Sequence, residues 1–476
     1  MTISELYSIY LKHPAVTTDS RNCPPDSLFF ALKGDRFDGH AFVDNALQAG
    51  CAYAIVDNVA PTADKRVIVV DNVLHALQQL ARIHRQTLGI PVIGITGTNG
   101  KTTTKELIAA VLSQKYIVLH TPGNLNNHIG VPLTLLRLKD KHEMAVIEMG
   151  ANHPGEIAEL SAIVLPDYGL ITNVGYAHLE GFGSLEGVIK AKGELYDFLR
   201  TKNGTAFVHR DNEYLLPMAI GLNIIMYGAS VFTEERFQIG RRAFDLFDKY
   251  NPVNSNAPFV GGKIKSLNPC LSFKWQNSPN EDYEVKTKLA GGYNMWNALA
   301  AITIGVFFDV PPEKINEAIS AYQPTNNRSQ FKKTKFNELI IDAYNANPSS
   351  MQAALENFTA MKPVQEDVKS GNMHDTGVEK PELPVNIPKA VILGDMRELG
   401  EKSPELHAEI INQVIACDFD KVLLCGDHFS STGQQYVCFR IVEELCEYLR
   451  TNPLRGYYIL VKGSRTIGLE KVIDYL

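Results

Sequence analysis

The pattern of apolar and polar positions divides the chain into three segments. Over residues 1–88, short apolar runs such as SLFFAL and RVIVV alternate with helical stretches, of which VLHALQQLARIHRQ is the last. Over 89–322, the apolar runs VIGIT, AVIEMG and YGLITNV each precede a loop or a helical segment. Residues 323–476 repeat the alternation with ELIIDAY, AVILGDM, KVLLCGD and YYILVKG. Strands alternating with helices are typical of parallel sheets, so we predict an α/β protein of three domains, the last of them Rossmann-like.

Three stretches depart from this rhythm. Residues 230–290 consist of short polar and aromatic pieces that could be antiparallel strands. Residues 363–389 carry four prolines and little periodicity where loops are normally short, so we predict a flexible insertion in the third domain. The glycines of EGFGSLEG are spaced G-x-G-x-x-x-G, which misses the dinucleotide-binding fingerprint, and we predict an ordinary loop there.

Charge and composition exclude several classes of protein. The formal charge is -7, which implies no broad basic surface, and we expect no nucleic-acid partner. No apolar run approaches the roughly 18 residues that span a bilayer, and the N-terminus lacks the pattern of a secretory signal. We therefore expect a cytoplasmic protein without membrane insertion. Its seven cysteines are scattered, without a C-x-x-C pair, and we expect them to be reduced thiols.

The stretch GITGTNGKTTTKEL, residues 94–107, is the strongest chemical signal. It differs from the common phosphate loop G-x-x-x-x-G-K-[ST], which would place a glycine at Ile95. A strand, a glycine-rich loop and a helix nevertheless follow in the order that lets backbone N–H groups surround a phosphate. We predict that a nucleotide is held by Gly97, Thr98, Asn99, Gly100, Lys101, Thr102 and Thr103. The alternative is a glycine-rich turn with an exposed lysine.

Further candidates lie where apolar runs end. Glu148 ends MAVIEMG, and ligands bind at such strand ends in parallel sheets, so Glu148 is a candidate for Mg²⁺. His178 follows LITNVGYA and is either structural or a ligand of a second cation. On spacing alone, Lys192 is a solvated lysine on a helix.

Taken together, these motifs resemble the ATP-dependent Mur ligases of peptidoglycan precursor synthesis. The resemblance rests on GITGTNGKTTT, AVIEMGANHPGEI, ITNVGYAHLEGFGS, AKGEL, GGYNMWNALAA and NRS, which occur in this order along essentially the whole chain. It implies a small N-terminal domain for the UDP end of a sugar nucleotide and a central ATPase domain. It also implies an amide ligase that forms an acyl phosphate, uses ATP with two Mg²⁺ ions and acts as a monomer.

Other stretches narrow the resemblance within the family. TPGNLNNHIGVPLTLL, DAYNANPSSMQAAL, VILGDMRELGE and VKGSRTIGLEKV are similar to members that join D-alanyl-D-alanine to UDP-N-acetylmuramoyl-tripeptide. Members that add the third amino acid typically carry Asn-Pro-Arg, whereas Asn347 and Pro348 are followed here by Ser349. The alternatives are another ligase of the superfamily, either tripeptide-forming or like folylpolyglutamate synthetase, and a nucleotide switch that is not a ligase.

The resemblance also implies roles for individual residues. Lys101 and Thr102 would hold ATP phosphates and Mg²⁺, Glu148 and His178 would complete the cation sites, and Lys192 would carry a carbamate that binds the second Mg²⁺. Nucleotide contacts are implied for Asn294, Asn297, Arg328 and Asp342, although the family often has His-Asn where this chain has Tyr293-Asn294. Substrate contacts are implied for Ser20, Arg21, Lys33, Gly34, His40, Asn124, Asn126, Asn127, Tyr344, Asn345, Asn347, Ser350, Lys462, Ser464 and Arg465.

Several of these residues have a simpler interpretation. Arg21 could form a surface ion pair, and Asn347 could be a plain helix-start residue before Pro348. Arg328 could be a linker arginine and Asp342 a strand-end aspartate. The turn from Lys462 to Arg465 could be merely a solvent-exposed basic turn.

Overall fold

A computed structural model describes residues 1–34, 37–57, 64–229, 259–278, 281–324, 327–361 and 387–476. The chain forms two compact units. One contains Met1–Val174, Glu186–Val260 and Leu299–Ile315, and the other contains Gly175–Leu185, Gly261–Ala298 and Asn316–Leu476. The predicted insertion 363–389 lies outside the described residues as far as residue 386, and Lys389 already begins a strand.

The N-terminal segment contains a parallel four-stranded sheet. Its order is β1 (Val16–Thr17), β2 (Leu28–Phe30), β5 (Tyr53–Val56) and β6 (Val67–Val69), while β3 (Lys33–Gly34) and β4 (Phe37–Asp38) form an antiparallel pair. The helices are α1 (Ile3–Tyr10), α2 (Val43–Gln48) and α3 (Val73–Leu88), with a 3-10 turn at Gly39–Phe42. Helix α3 begins where the Asn72 side chain accepts a hydrogen bond from the His75 N–H, and it ends at Gly89, whose φ of 63° is left-handed.

The sheet that carries the phosphate loop includes six parallel strands. Their order is β12 (Asn223–Ala229), β11 (Thr205–His209), β10 (Tyr168–Ile171), β7 (Val92–Thr96), β9 (Met144–Glu148) and β8 (Val118–His120). All five residues of β7 and of β9 are buried, as expected for parallel strands covered on both faces. Because β7 lies between β10 and β9, the carboxyl ends of these three strands are neighbours.

The helices that follow these strands are α4 (Lys101–Leu112), α5 (Gly130–Leu135), α6 (Glu156–Val164), α7 (Leu179–Phe182), α8 (Leu185–Lys202) and α9 (Leu215–Met218). The loop predicted for EGFGSLEG was wrong, because Gly181 lies in α7 and Gly187 lies in α8. The apolar positions Leu179, Phe182 and Val188 are buried, which favours helix over loop there.

The antiparallel strands predicted within 230–290 are confirmed in the described part of that stretch. β13 (Phe259–Ser266) pairs with β14 (Ser272–Ser278), which pairs with β15 (Glu281–Lys286). Trp275 is fully buried, with its ring 4.5 Å from that of Tyr283 and its indole N–H donating to Asn316 over 2.8 Å. Two helices follow, α10 (Asn294–Phe307) and α11 (Pro312–Ala321).

The C-terminal segment forms a six-stranded sheet that is parallel except at one edge. Its order is β16 (Gln330–Lys333), β17 (Glu338–Asp342), β21 (Tyr458–Lys462), β18 (Lys389–Gly394), β19 (Lys421–Cys425) and β20 (Val437–Phe439), with β16 antiparallel. The helices are α12 (Pro348–Ala360), α13 (Ser403–Cys417), α14 (Asp427–Thr432) and α15 (Val442–Thr451), and 3-10 turns lie at Gly400–Lys402, Arg465–Ile467 and Leu469–Tyr475. Most members of two clusters of buried apolar side chains lie in this segment, which confirms the predicted α/β layers.

Burial of His209 at the end of β11 makes stability depend on pH. Its ring stacks on that of Tyr227, and burial lowers the pKa of His209 to about 4. Since the folded pKa lies below the ordinary value of about 6.5, this stabilisation is full above pH 6.5 and is lost as the pH falls toward 4. We expect the free energy of unfolding, measured in urea, to fall between pH 7 and pH 5 in the wild type. The fall should be about 2 kcal/mol larger than in His209→Phe, which has no imidazole to protonate. Equal losses in the two proteins would contradict this assignment.

Candidate active site

The predicted phosphate loop joins β7 to α4 in the expected order. Gly97 and Gly100 have φ values of 138° and 78°, and helix α4 begins at Lys101. The Lys101 ammonium donates to the carbonyl oxygens of Gly97 (2.7 Å) and Thr98 (3.0 Å), so its side chain lies over the loop rather than pointing into solvent. The loop therefore presents an ammonium group and the N-terminal end of a helix at one place, which suits a phosphate.

Two residues that sequence reasoning missed hold this loop in place. The backbone N–H of Thr98 donates to the Asn173 carbonyl and the backbone N–H of Asn99 donates to the Asn173 side chain, both over 2.9 Å. The Thr172 hydroxyl donates to the Asn99 carbonyl over 2.6 Å. Both residues follow β10 directly, within ITNVGYAHLEGFGS, so their position after a strand was the available signal.

Contact with Thr172 also explains why the loop requires glycine at position 97. A Cβ atom there would lie 2.1 Å from the Thr172 hydroxyl oxygen, and the φ of 138° is strained for any other residue. We expect Gly97→Ala to weaken ADP binding at least tenfold, about 1.4 kcal/mol, because the loop must shift. Isothermal titration calorimetry with ADP measures this change in affinity. Gly89→Ala is the matched control, since Gly89 also has a positive φ but no atom within 4 Å of the added Cβ, and it should keep the affinity of the wild type.

Glu148 lies directly beside this loop, with 1% of its surface exposed. Its Oε1 accepts hydrogen bonds from the Thr102 hydroxyl (3.2 Å) and the Asn126 amide (2.8 Å). Its Oε2 is buried and accepts no hydrogen bond from the described residues. The register of the two strands explains why Glu148 lies beside the loop. Glu148 of β9 pairs with Ile95 of β7, which lies two residues before Gly97, the first glycine of the loop.

This donor set fits Mg²⁺. The ion prefers hard oxygen ligands and is commonly held by one or two carboxylates together with substrate phosphates. The Thr102 hydroxyl and the Glu148 carboxylate, which are joined through Oε1, provide such oxygens beside the phosphate loop. In the described part of the chain, no three His, Cys, Asp or Glu side chains converge in a cluster of metal-ligand type.

Lys192 is buried on α8, and the prediction of a solvated helix lysine was wrong. Only 1% of its surface is exposed, and its ammonium donates to the Ala151 carbonyl over 3.1 Å. Burial, with a smaller contribution from the charge of Lys101, lowers the pKa of Lys192 to about 7. A substantial fraction of this amine is therefore neutral at physiological pH, which is the form that reacts with carbon dioxide.

His178 contacts a carboxylate of the C-terminal segment. It has a left-handed φ of 51° at the start of α7, and its Nδ1 forms an ion pair with Glu398 Oε2. The interaction with His178 lowers the pKa of Glu398. Two backbone N–H groups of the same stretch also bond to this segment, Tyr176 to the Ser349 hydroxyl (3.0 Å) and Glu180 to the Glu398 carbonyl (3.3 Å). Glu398 was not among the predicted site residues.

The two asparagines expected beside adenine lie on the first turn of α10. The Asn297 amide donates to Asn294 Oδ1 over 2.9 Å, and the Asn294 amide donates to the Ala290 carbonyl over 2.7 Å. Tyr293, which replaces the histidine frequent in the family, shares a hydrogen bond of 2.9 Å with the Ser329 hydroxyl. Burial raises the pKa of Tyr293, so the phenol stays protonated.

Two of the arginines predicted as site residues lie against the ring of Tyr344. The guanidinium carbon of Arg328 lies 3.7 Å from the centre of the Tyr344 ring, and that of Arg465 lies 5.3 Å away. The buried Nε of Arg328 has no hydrogen-bond partner among the described residues. Asp342 forms an ion pair of 2.6 Å with Lys462, whose side chain is 1% exposed. The interpretation as an exposed basic turn therefore holds for Arg465 but is wrong for Lys462.

The other predicted residues of this domain organise turns. Asn347 caps α12 by accepting from the Ser350 N–H over 2.9 Å, and the Ser350 hydroxyl accepts from the Asn347 N–H, which confirms the helix-start interpretation. Asn345 accepts a hydrogen bond from the Ala346 N–H over 3.0 Å. The Ser464 hydroxyl donates to the Ala346 carbonyl over 3.4 Å.

In the N-terminal segment, three of the five predicted residues lie against aspartates, namely Arg21, Lys33 and His40. Arg21 is exposed and makes a two-pronged pair with Asp19, both contacts at 2.9 Å, as the surface-pair interpretation expects. His40 lies between Asp38 (2.6 Å) and Asp57 (3.0 Å). Lys33 lies 3.5 Å from Asp38, Gly34 is exposed, and Ser20 is half-buried next to Arg21.

Of the three asparagines predicted between β8 and α5, Asn126 reaches Glu148. Asn127 instead accepts from the Gly130 N–H over 2.8 Å at the start of α5, and Asn124 is exposed. The Asn126 N–H donates to the Asn124 carbonyl over 2.7 Å. These bonds shape the loop that delivers the Asn126 amide to the carboxylate.

Comparison with known proteins agrees with this geometry. A model of the Mur ligase middle domain matches residues 95–305, and a model of the Mur ligase family catalytic domain matches 14–85. The UDP-N-acetylmuramoyl-tripeptide--D-alanyl-D-alanine ligase of Bacillus subtilis is 38% identical over 72% of this chain and 69% of its own length. The Escherichia coli ligase of the same name is 34% identical over 99% of this chain and 95% of its own length.

Similar solved structures include the crystal structure of MurF ligase from Thermotoga maritima in complex with ADP. It has a TM-score of 0.78 and 25% identity, and the match covers 98% of this chain and 97% of that one. In the described residues of this chain, no helix is long and apolar enough to cross a membrane. With the phosphate loop, Glu148 and Lys192 placed as described, these likenesses show that the chain belongs to the Mur ligase family.

Proposed function

We propose that this chain is an ATP-dependent ligase that joins D-alanyl-D-alanine to UDP-N-acetylmuramoyl-tripeptide and so makes the pentapeptide precursor of peptidoglycan. The observation that carries this proposal is the phosphate loop with Thr102 bonded to the buried Glu148. Relatives named for this activity align over nearly the full chain, which supports the choice of substrates. We assign residues 1–88 to the UDP end, 89–322 to ATP and 323–476 to the remaining substrate contacts.

The chemistry requires activation of a carboxylate, because its oxygen is a poor leaving group. The terminal carboxylate of the tripeptide attacks the γ-phosphorus of ATP, which gives an acyl phosphate and ADP. The amino group of D-alanyl-D-alanine then attacks the acyl carbon, and inorganic phosphate leaves with the electron pair of the C–O bond. Phosphoryl transfer depends mainly on positioning and on neutralisation of phosphate charge.

We assign that neutralisation to Lys101 and to the N-terminal end of α4. Lys101 bonds to carbonyls of its own loop, and it exchanges these contacts for phosphate oxygens when ATP binds. Mg²⁺ supplies further charge neutralisation when bound. Thr102 and Glu148 would hold the first ion, and His178 together with a carbamate on Lys192 would hold the second.

The remaining predicted residues are proposed to contact substrates. Asn294 and Asn297 face adenine, and Arg328 and Asp342 reach the nucleotide. Those assigned to the sugar nucleotide and peptide groups are Ser20, Arg21, Lys33, Gly34, His40, Asn124, Asn126, Asn127, Tyr344, Asn345, Asn347, Ser350, Lys462, Ser464 and Arg465. Arg21 and His40 must give up aspartate contacts if they bind a phosphate.

Phosphate release tests the proposal when each substrate is omitted in turn. With ATP, Mg²⁺, UDP-N-acetylmuramoyl-tripeptide and D-alanyl-D-alanine all present, we expect phosphate and one new amide in equal amounts. Omission of any one should stop amide formation. Hydrolysis of ATP that is indifferent to both peptide substrates would instead indicate a nucleotide switch, and glutamate as the required amine would indicate a folylpolyglutamate synthetase-like ligase.

A further inference from the structure

Lys105 is a buried lysine for which the proposed mechanism has no role. It lies on α4, one helical turn after Lys101, and it is fully buried. Its ammonium donates to the Gly123 carbonyl over 3.2 Å and lies 3.9 Å from Glu148 Oε2 and 3.7 Å from Glu106 Oε1. A buried ammonium is strongly unfavourable unless it is paired. These contacts therefore offset the cost of burying the charge of Lys105.

The two oxygens of Glu148 have different surroundings. Oε1 accepts from Thr102 and Asn126, whereas the ammonium of Lys105 is the cation that forms an ion pair with Oε2 in the described residues. At 3.9 Å the ammonium attracts Oε2 without occupying it through a short hydrogen bond. Oε2 therefore accepts no hydrogen bond from the described residues, while the ammonium restrains the direction of the carboxylate.

The same ammonium also restrains the loop that delivers Asn126. Gly123, whose carbonyl accepts from Lys105, lies three residues before Asn126, whose amide donates to Glu148. Lys105 thus contacts the carboxylate itself and the loop that supplies one of its two donors. Removal of the charge would release both constraints together.

We propose that Lys105 is a positioning residue for phosphoryl transfer, which orients the Glu148 carboxylate and the Gly123–Asn126 loop for Mg²⁺. This inference rests on the proposed function, in which Glu148 binds the ion. A merely structural lysine would affect stability but not the dependence on Mg²⁺, so the two roles can be separated by experiment.

The test compares Lys105→Met, Glu148→Gln and the double variant. The rate of phosphate release is measured against Mg²⁺ concentration at saturating ATP, and Mg²⁺-dependent ADP binding is measured by titration calorimetry. We expect Lys105→Met to raise the half-saturating Mg²⁺ concentration at least fivefold. Because Lys105 acts through Glu148, the double variant should be no worse than Glu148→Gln alone.

Two further variants serve as controls. Glu106→Gln removes the other nearby carboxylate and should leave the Mg²⁺ dependence unchanged. Lys389→Met removes a lysine that also donates to backbone carbonyls, those of Phe358 and Thr359. It should change the stability of the protein but not the dependence of the rate on Mg²⁺. If Lys105→Met does not fold, the double variant should recover folding, because it removes both buried charges.

The outcomes distinguish this inference from the function on which it rests. An unchanged Mg²⁺ dependence in Lys105→Met, or additive effects in the double variant, would overturn the positioning role. An unchanged Mg²⁺ dependence in Glu148→Gln would instead overturn the assignment of Glu148 as a metal ligand. If Glu106→Gln raised the half-saturating Mg²⁺ concentration as much as Lys105→Met, Lys105 would act through Glu106 rather than Glu148. That result would also overturn the inference.

Discussion

Replacement of Lys101 with alanine is expected to abolish turnover while leaving the fold intact. The ammonium is the cation that lies over the phosphate loop, and phosphoryl transfer depends on neutralising the charge of the transferring group. Loss of one such preorganised group typically lowers kcat by about 10² to 10³. Phosphate release with all substrates present, followed in single-turnover and steady-state experiments, measures the decrease.

Circular dichroism and thermal unfolding should be unchanged in Lys101→Ala, because the two carbonyls to which the Lys101 ammonium donates belong to its own loop. Lys115→Ala is the matched control. Lys115 follows the same helix, is exposed, and bonds to the carbonyls of Phe308 and Asp309. Full activity in Lys101→Ala would remove the lysine from the proposed mechanism.

The second large effect is expected at Lys192. Lys192→Ala should lose most of its activity and recover part of it when short carboxylates such as acetate or formate are added. The reason is that a carbamate would convert this lysine into an anionic oxygen ligand, and a small carboxylate can occupy the space left by the shortened side chain. A pKa of about 7 makes the amine available for this chemistry near neutral pH.

Lys190→Ala is the control for Lys192→Ala, since Lys190 lies two residues earlier on α8 and is exposed. It should keep wild-type rates and show no response to acetate. Mass spectrometry of the intact protein in ¹³C-labelled bicarbonate, after chemical trapping of the carbamate, gives a second measurement. Wild-type rates in Lys192→Ala without any additive would defeat the carbamate assignment.

Part of the candidate site could be predicted because its signals are local. The phosphate loop from Gly97 to Thr102 is one continuous stretch whose glycines, lysine and threonine act through their own backbone and side chains. Glu148 was found because the end of a buried strand is recognisable in sequence. Asn347 was recognisable as a helix cap, since its hydrogen bonds to Ser350 span only three residues.

Other parts of the site depend on residues far apart in the chain. Spacing on α8 indicated an exposed Lys192, and only the packing around that helix buries it and lowers its pKa. Thr172 and Asn173 support the phosphate loop from about 74 residues away. Neither the pair of His178 with Glu398 nor that of Lys105 with Glu148 has a local signature.

The sequence by itself determined the alternation of strands and helices, the phosphate loop and the family, because periodicity, glycine placement and motif order are local properties. Only the tertiary structure decided the strand order that sets β7 between β9 and β10, and with it which side chains meet at their ends. The physical reason is that burial, and the ionic pairing and pKa shifts that burial causes, arise from neighbours that the chain order does not specify.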